Sequence, residues 1–406
     1  MPTRQTQLRP LARMWWAQAR FAFVAALLGA CTLARVRDPQ SDPDDFYTPP
    51  AIATTSPGEL IRSERLVAGI PNGTRAWRLL YTTTNADGSP AVSSGTVVAS
   101  VTAPPGPRPV IAVAHGTTGI APKCAPSLSD EPFGGGARAA LEQMVAKGWV
   151  GVISDYVGLG TRGPHAYLVG ESEARNVLDA VRAAHKLREL ELDMRTVVWG
   201  HSQGGHGALW TGIVAPEYAS EFNIIGVAAM APATDLRGLA DGIKGSTIGK
   251  VVLAYIADSW SKVYPDLGLA TLVTPESEPT ASRIGELCFV GREALAAIAM
   301  VSRLTDPILR DSTFNGRVGE LLRANSPTRA IAAPVFIAQG DADRLVLPTI
   351  QKRFVADRCA AGQALEYRVY AGKDHVPLVA SDSPLTRELV AWTEARLAGQ
   401  LPTNSC

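Results

Sequence analysis

Short, almost wholly apolar runs alternate with amphipathic stretches along the chain after residue 108. Such runs are typical of strands buried on both faces of a sheet, and the stretches between them are typical of helices. Strands are expected at 110–114, 149–154, 196–199, 224–230, 334–338 and 365–370. Helices are expected at 135–147, 172–187, 203–214, 348–361 and 384–398. This alternation predicts an α/β fold with a mostly parallel central sheet.

Two parts of the chain depart from this alternation. Three β-rich runs at 63–71, 76–85 and 93–101 are separated by turn-forming residues, which predicts antiparallel strands at the start of the sheet. The interval 235–330 separates two strands by about 95 residues, where roughly a dozen would complete a crossover. Because its apolar stretches have helical character, we expect this interval to form a helical cap over the strand ends.

The first thirty residues have the layout of an export signal. Four arginines and no acidic residue precede an apolar run at 21–29, which is much shorter than the roughly 20 residues of a membrane span. The run ends in Leu28-Gly29-Ala30-Cys31, which resembles a lipobox, so Cys31 is a candidate for lipid attachment. Cleavage near Ala34 would instead release a freely secreted protein. We expect export in both cases, to the cell envelope or to the medium.

The predicted organisation follows from these segments. It comprises an export signal at 1–30, a tether at 31–58, an α/β core at 59–234 and 331–400, the helical cap at 235–330 and a tail at 401–406. The tether is rich in Asp, Pro, Ser and Thr and has no apolar core of its own.

Composition excludes two classes of protein. With 46% hydrophobic and 19% charged residues, the chain is too apolar to be disordered. With 39 basic and 38 acidic side chains and no long basic run, it has no electrostatic footprint for nucleic acid.

Five cysteines are present without a C-x-x-C spacing, so neither a zinc site nor another metal site is expected. If Cys31 is acylated, four remain for an oxidising compartment, which is enough for two disulfides. Three connectivities are then possible for the cysteines at 124, 288, 359 and 406.

One G-x-S-x-G pentad occurs, Gly200-His201-Ser202-Gln203-Gly204. Because an apolar strand ends just before it and a helical run follows it, the pentad has the strand-turn-helix setting of a nucleophile elbow. Ser202 is therefore the candidate nucleophile.

A serine hydroxyl needs a base to take its proton, and His375 follows the last strand, from where a loop can reach the elbow. The acid that orients the histidine is expected after the preceding strand, where Asp341 and Asp343 are available. We favour Asp343, since Asp341 is better placed to accept from the turn N–H groups. The order Ser202, Asp343, His375 is that of α/β-hydrolases.

Acyl transfer also needs donors for the developing oxyanion. The segment His115-Gly116-Thr117-Thr118-Gly119 follows a strand, where an HG-type loop supplies one backbone N–H. We expect the N–H groups of Thr117 and Gln203 to be the donors. The alternative is that His115-Gly116 only turns the chain.

A second glycine motif, Gly158-Leu159-Gly160-Thr161-Arg162-Gly163, matches the dinucleotide-binding pattern G-x-G-x-x-G. Its context is wrong, because the next helical run begins near Ser172 and no acidic residue ends a following strand. We therefore expect no nucleotide cofactor, and interpret the glycines as a loop near the active site.

These motifs together resemble the secretory lipases of the α/β-hydrolase superfamily, of the Candida lipase A type, over most of residues 60–400. The resemblance implies hydrolysis of carboxylic esters, especially acylglycerols, by Ser202, Asp343 and His375 without a cofactor. It also implies a helical cap over an acyl tunnel and two disulfides, Cys124–Cys288 and Cys359–Cys406. A lipobox departs from the fungal members, which puts free secretion in question.

The predicted function is thus that of a serine carboxylic-ester hydrolase acting on lipid or ester substrates. Alternatives on the same fold are an esterase or acyltransferase for smaller esters, and a peptidase. A non-catalytic surface binding protein would be a different class, although it need not keep three catalytic partners. Apolar cap residues either line the acyl site or form the interior of the cap, among them Tyr255, Trp260, Met300 and Leu304.

Overall fold

One mixed sheet forms the centre of the computed structural model, which describes residues 42–50, 56–102 and 105–406. Its strands are β1 Leu60–Leu66, β2 Thr74–Thr84, β3 Pro90–Ser100, β4 Arg108–Ala114, β5 Val150–Ser154, β6 Leu192–His201, β7 Asn223–Met230, β8 Val335–Gly340 and β9 Leu365–Tyr370. They lie in the order β1-β2-β3-β5-β4-β6-β7-β8-β9. Pairing is antiparallel from β1 to β5 and parallel from β5 to β9. The predicted fold class is confirmed.

Helices cover both faces of this sheet. They are α1 Leu141–Ala146, α2 Gly170–Ala184, α3 Gln203–Tyr218, α4 Leu236–Ile243, α5 Thr247–Val263, α6 Leu269–Leu272, α7 Glu278–Gly285, α8 Gly291–Val301, α9 Gly316–Ala324, α10 Pro348–Ala360 and α11 Pro384–Leu397. Within β4, Ile111 and Val113 join one apolar cluster while Val110 and Ala112 join another. Because both faces are buried, the strand is apolar from Pro109 to Ala114 rather than alternating.

The interval between β7 and β8 is helical, as its apolar stretches predict. Helices α4 to α9, which we call the helical insertion, occupy it. The side chains of Asp235 and Ser246 cap α4 and α5 by accepting from the N–H groups of Gly238 and Gly249. Among the residues that the structure describes, none of the helices combines the length and hydropathy needed to cross a bilayer.

The helix expected at 135–147 is shorter than predicted. It occupies only Leu141–Ala146, because the residues before it form turns with positive φ at Gly135, Gly136 and Ala140. A side chain at Gly135 would lie 2.5 Å from the carbonyl oxygen of Gly116, and one at Gly136 would lie 2.9 Å from the His201 ring. The close approach of this turn to the Ser202 region therefore replaces the first helical turns.

The described residues near both ends of the chain contact the rest of the fold. Residues 1–30 and Cys31, with the predicted signal and lipid attachment point, lie outside the described residues. Part of the predicted tether is buried, and the hydroxyl of Tyr47 lies 2.9 Å from Oγ of Ser127. In the tail, the N–H of Ser405 donates to the carbonyl of Leu365 (2.8 Å), which covers the outer edge of β9.

Candidate active site

Ser202 occupies a sharp turn between β6 and α3. Its backbone has φ 61° and ψ −121°, a conformation that non-glycine residues rarely adopt. A side chain at Gly200 would lie 1.9 Å from the carbonyl oxygen of Gly204, and one at Gly204 would lie 1.9 Å from that of Ala114. The two glycines are therefore required sterically, and the packed turn holds Ser202 in its strained conformation.

His375 and Asp343 form a buried pair at the carboxyl ends of the last two strands. His375 Nδ1 lies 2.8 Å from Oδ2 of Asp343. The other carboxylate oxygen accepts from the N–H groups of Leu345 (2.9 Å) and Val346 (2.8 Å), and Gln339 Nε2 donates to Oδ2 (3.2 Å). These donors fix the carboxylate, so Nδ1 of the imidazole is oriented and Nε2 is left as the proton-accepting nitrogen.

The competing carboxylates have other partners. Asp341 is exposed, and its Oδ1 accepts from the N–H of Gly372 (2.6 Å), a turn contact of the kind expected for it. Asp374 Oδ1 accepts from the N–H groups of His375 (2.7 Å) and Arg344 (3.1 Å). These hydrogen bonds lower the pKa of Asp374. Neither carboxylate is hydrogen-bonded to the His375 ring.

Ser202 and His375 line one cavity of about 280 Å³, which we call the Ser202 cavity. Within the described part of the chain, the Ser202 hydroxyl makes no hydrogen bond. Serine and histidine in a resting site often close their contact only when substrate binds. The Ser202 hydroxyl, which has no hydrogen-bond partner among the described residues, and the oriented His375 imidazole thus line the same cavity.

His201, which is adjacent to the serine, supports the His375 loop. Its Nε2 donates to the carbonyl oxygen of His375 (3.1 Å), and the ring centroids are 4.6 Å apart. Burial, together with the neighbouring His375 ring, holds the pKa of His201 well below its usual range, so this ring stays neutral. No sequence signal indicates this contact, because it joins the elbow to a loop encoded 174 residues later.

Thr117 and Gln203 also line the Ser202 cavity. Gln203 is the first residue of α3, so its N–H has no acceptor within the helix. Two contacts fix the loop that carries Thr117. The N–H of Gly116 donates to the carbonyl of Gly135 (2.6 Å). The buried ring of His115 has its Nε2 3.1 Å from the Asp155 carbonyl oxygen. The structure therefore places both residues in the wall of the Ser202 cavity.

The rest of the cavity is apolar. Residues of α4, α5 and two loops form these walls, namely Leu236, Leu239, Ala240, Ile243, Val252, Leu253, Ile256, Phe289, Val290, Val376 and Val379. By contrast, Tyr255 and Trp260 are buried in the interior. The Tyr255 hydroxyl donates to the carbonyl oxygen of Leu287, and Nε1 of Trp260 donates to the carbonyl oxygen of Tyr167. Of the two interpretations of these aromatic residues, the interior of the insertion is the one that the structure supports.

The second glycine motif forms a turn. Gly158, Gly160 and Gly163 all have positive φ, and α2 begins only at Gly170. The N–H of Gly160 donates to the carbonyl of Pro122 (2.7 Å). The segment thus packs against the chain itself and lacks the helix that a dinucleotide-binding motif requires.

The residues that the structure describes contain two disulfides, Cys124–Cys288 and Cys359–Cys406. The first joins the loop after β4 to the helical insertion. Beside it, the N–H of Phe289 donates to the carbonyl of Thr118 (2.7 Å). Because Thr117 and Phe289 both line the Ser202 cavity, this disulfide holds two of its walls together.

Comparison with known proteins agrees with the fold. The family model for secretory lipases matches residues 138–405. The chain is 24% identical over 399 residues to lipase 6 of Candida albicans, covering 89% of this chain and 83% of the relative. It is 25% identical over 386 residues to a probable inactive lipase of Mycobacterium tuberculosis, covering 90% and 84%.

The crystal structure of Candida antarctica lipase A superposes on this fold with a TM-score of 0.72. The two chains share 22% identity, and the match covers 91% of this chain and 89% of the lipase. At 22% identity this likeness supports the fold alone. The family model, in contrast, matches about two thirds of the sequence and therefore shows the family. The chain therefore belongs to the secretory lipase family and is a carboxylic ester hydrolase with the α/β-hydrolase fold.

Proposed function

We propose that this enzyme hydrolyses acylglycerol esters through an acyl-enzyme formed on Ser202, with His375 as general base and acid and Asp343 as the orienting carboxylate. The observation that carries the proposal is the buried contact between His375 Nδ1 and Asp343 Oδ2 beside the cavity that contains Ser202. A non-catalytic surface protein would have no need of that contact.

The first step forms the acyl-enzyme. His375 Nε2 takes the Ser202 proton as Oγ attacks the ester carbonyl carbon, and the carbonyl oxygen becomes an oxyanion. The imidazolium then gives its proton to the leaving alkoxide oxygen, so the glycerol alcohol departs. Water repeats the sequence: His375 takes its proton, hydroxide adds to the acyl carbon, and Ser202 leaves with the proton as the fatty acid is released.

The N–H groups of Thr117 and Gln203 are the proposed oxyanion donors. Both residues line the Ser202 cavity, one in the loop after β4 and one at the start of α3. Each donor of this type contributes about 3 to 4 kcal/mol to the lowering of the barrier, because it is already oriented when the charge develops.

The acyl group would occupy the apolar part of the cavity. Leu236, Leu239, Ala240 and Ile243 follow the i, i+3, i+4, i+7 spacing and present one apolar stripe of α4 to it. From Leu236 to Ile243 this stripe is about 10 Å long, which suits an extended hydrocarbon chain better than a peptide with its regularly spaced polar groups. This favours a lipase over a peptidase.

Export and anchoring are separate questions. Membership of a secretory family indicates export, and two disulfides fit an oxidising compartment. We also propose that the exported protein is attached to a membrane through a lipid on Cys31. Growth with a labelled fatty acid should mark the wild-type protein and leave Cys31→Ser unmarked, whereas an unlabelled wild-type protein would refute anchoring.

The decisive experiment for the reaction is turnover of p-nitrophenyl esters of increasing chain length, and of triacylglycerols, by the wild type and Ser202→Ala. We expect Ser202→Ala to lose activity by a factor on the order of 10⁴ or more. Ser302→Ala is the matched control, because Ser302 is an exposed residue at the end of α8 whose hydroxyl donates to the Ile298 carbonyl of that helix. Turnover in Ser202→Ala within a few-fold of the control would refute the proposal. Release of fatty acid rather than transfer to added alcohol separates a hydrolase from an acyltransferase.

A further inference from the structure

A buried carboxylate that the proposed reaction does not use lies behind the oxyanion site. Glu173, on α2, is 1% exposed. Its Oε1 accepts from the side-chain Nε2 of Gln203 (2.9 Å) and from the N–H of Leu168 (3.1 Å), and its Oε2 lies 2.7 Å from Nδ1 of His206. Gln203 and His206 both belong to the first turn of α3, so this carboxylate joins α2 to the helix that starts at the nucleophile.

The protons of the Glu173–His206 pair can be assigned from its neighbours. His206 Nε2 lies 2.7 Å from the carbonyl oxygen of Asn325, which can only accept, so this nitrogen carries a proton. One further proton lies between Nδ1 and Oε2. Wherever that proton resides, the pair has zero net charge. The carboxylate is therefore balanced, and it presents no net negative charge to the oxyanion nearby.

The side-chain amide of Gln203 is fixed on two sides. His165 Nδ1 lies 3.1 Å from the carbonyl oxygen of Val157 and must donate to it. Burial lowers the pKa of His165 to about 3, so the ring is neutral and its Nε2 is an acceptor. The Gln203 amide therefore donates one hydrogen to His165 (3.3 Å) and the other to Glu173.

The same carboxylate also supports a second residue of the cavity wall. Leu168, whose N–H donates to Glu173, has φ 56° and lines the Ser202 cavity. A non-glycine residue in this conformation needs support from its surroundings. The preceding residue, Tyr167, has its hydroxyl 2.7 Å from Oγ1 of Thr117, the other proposed oxyanion donor. Glu173 thus contacts Gln203 directly and reaches Thr117 through the segment Tyr167-Leu168.

We propose that Glu173 is a positioning residue that holds both oxyanion donors in place, and that His206 keeps it electrically balanced there. The inference rests on the proposed function, because it needs Gln203 and Thr117 to act on an oxyanion. Donors must lie 2.7–3.1 Å from the oxyanion to be effective, and their contribution falls steeply when they shift. Loosening Glu173 should therefore lower kcat more than it raises KM.

The test compares two substitutions at Glu173 with a matched control on the same helix. Glu173→Met keeps the length of the side chain and removes both acceptors. Glu173→Gln can still accept from Leu168 and Gln203 while its amide donates to Nδ1 of His206. Asp179→Leu is the control, because Asp179 is a buried α2 carboxylate that accepts from Thr83, Arg182 and Tyr218, away from the Ser202 cavity.

We expect Glu173→Met to lower kcat about 10- to 100-fold with little change in KM, by analogy with the loss of an oxyanion donor. The inhibition constant of an alkyl boronic acid, which forms a tetrahedral adduct on serine, should rise by the same factor. Glu173→Gln should stay within about threefold of the wild type. Asp179→Leu should lose thermal stability and keep kcat. Equal kcat values for Glu173→Met and Asp179→Leu would overturn the inference.

Gln203→Met provides the second route if Glu173→Met does not fold. It removes the contact from the opposite side and leaves the backbone N–H of residue 203 intact. We expect the same loss in kcat and boronate affinity, and no effect in Gln203→Met would overturn the inference. Where both single variants fold, their effects should be far from additive in the double variant. Ser202→Ala separates the two proposals. If it retains activity, the proposed function itself fails. If it is inactive, the results for the Glu173 and Gln203 variants test the positioning role alone.

Discussion

Asp343 Oδ2 lies 2.8 Å from Nδ1 of His375, while Asp341, two residues earlier in the same loop, is exposed and bonds to the N–H of Gly372. The two carboxylates are therefore not interchangeable. Asp343 is held by two backbone N–H groups and the Gln339 amide, which leaves Oδ2 aimed at the imidazole.

Substitution of these two acids should have opposite results. In Asp343→Asn the amide cannot stabilise the imidazolium and favours the wrong tautomer, so we expect kcat for a p-nitrophenyl ester to fall by about 10⁴. Asp341→Asn keeps an acceptor for Gly372 and should retain kcat within about threefold. Steady-state kinetics of both purified variants check this. A larger loss in Asp341→Asn than in Asp343→Asn would reverse the assignment.

Chain-length preference should depend on Ala240. It is the smallest side chain of the α4 stripe that lines the Ser202 cavity. In Ala240→Phe the ring would fill part of the acyl site, so kcat/KM for long-chain esters should fall about 10- to 100-fold while short-chain esters keep most of theirs. A series from butyrate to palmitate measures the shift. Ala299→Phe, at an exposed position of α8, is the control and should leave the profile unchanged.

Acid should destabilise the protein partly through His165. Burial lowers its folded pKa to about 3 from an ordinary value of 6.5. Between these values the unfolded chain binds a proton that the folded protein does not, so the free energy of unfolding falls as pH is lowered through this window. One such group contributes a slope of up to about 1.4 kcal/mol per pH unit.

Urea denaturation at pH 7, 5.5 and 4.5 tests this with His165→Asn. Asparagine can still donate to the Val157 carbonyl but cannot take up a proton. We expect the wild type to be the more stable at pH 7 and its advantage to shrink as the pH falls. Parallel pH profiles for the two proteins would contradict the prediction.

Both disulfides should stabilise the fold, but they should differ in their effect on activity. Cys124–Cys288 closes 164 residues and Cys359–Cys406 closes 47, so loop entropy predicts stabilisation of about 5 and about 4 kcal/mol. Replacing either pair by serine should lower the midpoint of thermal unfolding.

Activity of the still-folded protein should distinguish them. The 124–288 pair joins the segments that carry Thr117 and Phe289, which both line the Ser202 cavity, so its loss should lower kcat/KM severalfold at a temperature where the variant is folded. The 359–406 pair fastens the tail to the edge of β9, and its loss should leave kcat/KM unchanged. Equal effects on kcat/KM would show that the first disulfide has no part in shaping the site.

Much of the fold could be predicted because its signals are local. The apolar run Ile224–Met230 of β7 follows from burial on both faces, and β9 was predicted with the bounds that it has. The start of α1 was missed, because turns at Gly135 and Gly136 are required by their approach to Gly116 and His201 rather than by their own sequence. Tertiary packing at the site overrides helix propensity there.

The sequence by itself determined the order of strands and helices and the place of Ser202 after β6, since a strand, a glycine-rich turn and a helix are encoded within about twenty residues. It also limited the candidates for the carboxylate that orients His375 to Asp343 and Asp341. Only the tertiary structure decided which of the two faces His375, that His201 supports the His375 loop, and that Glu173 lies behind Gln203. The physical reason is that each of these contacts joins residues far apart in the chain, and their distances are set by how the sheet and helices pack.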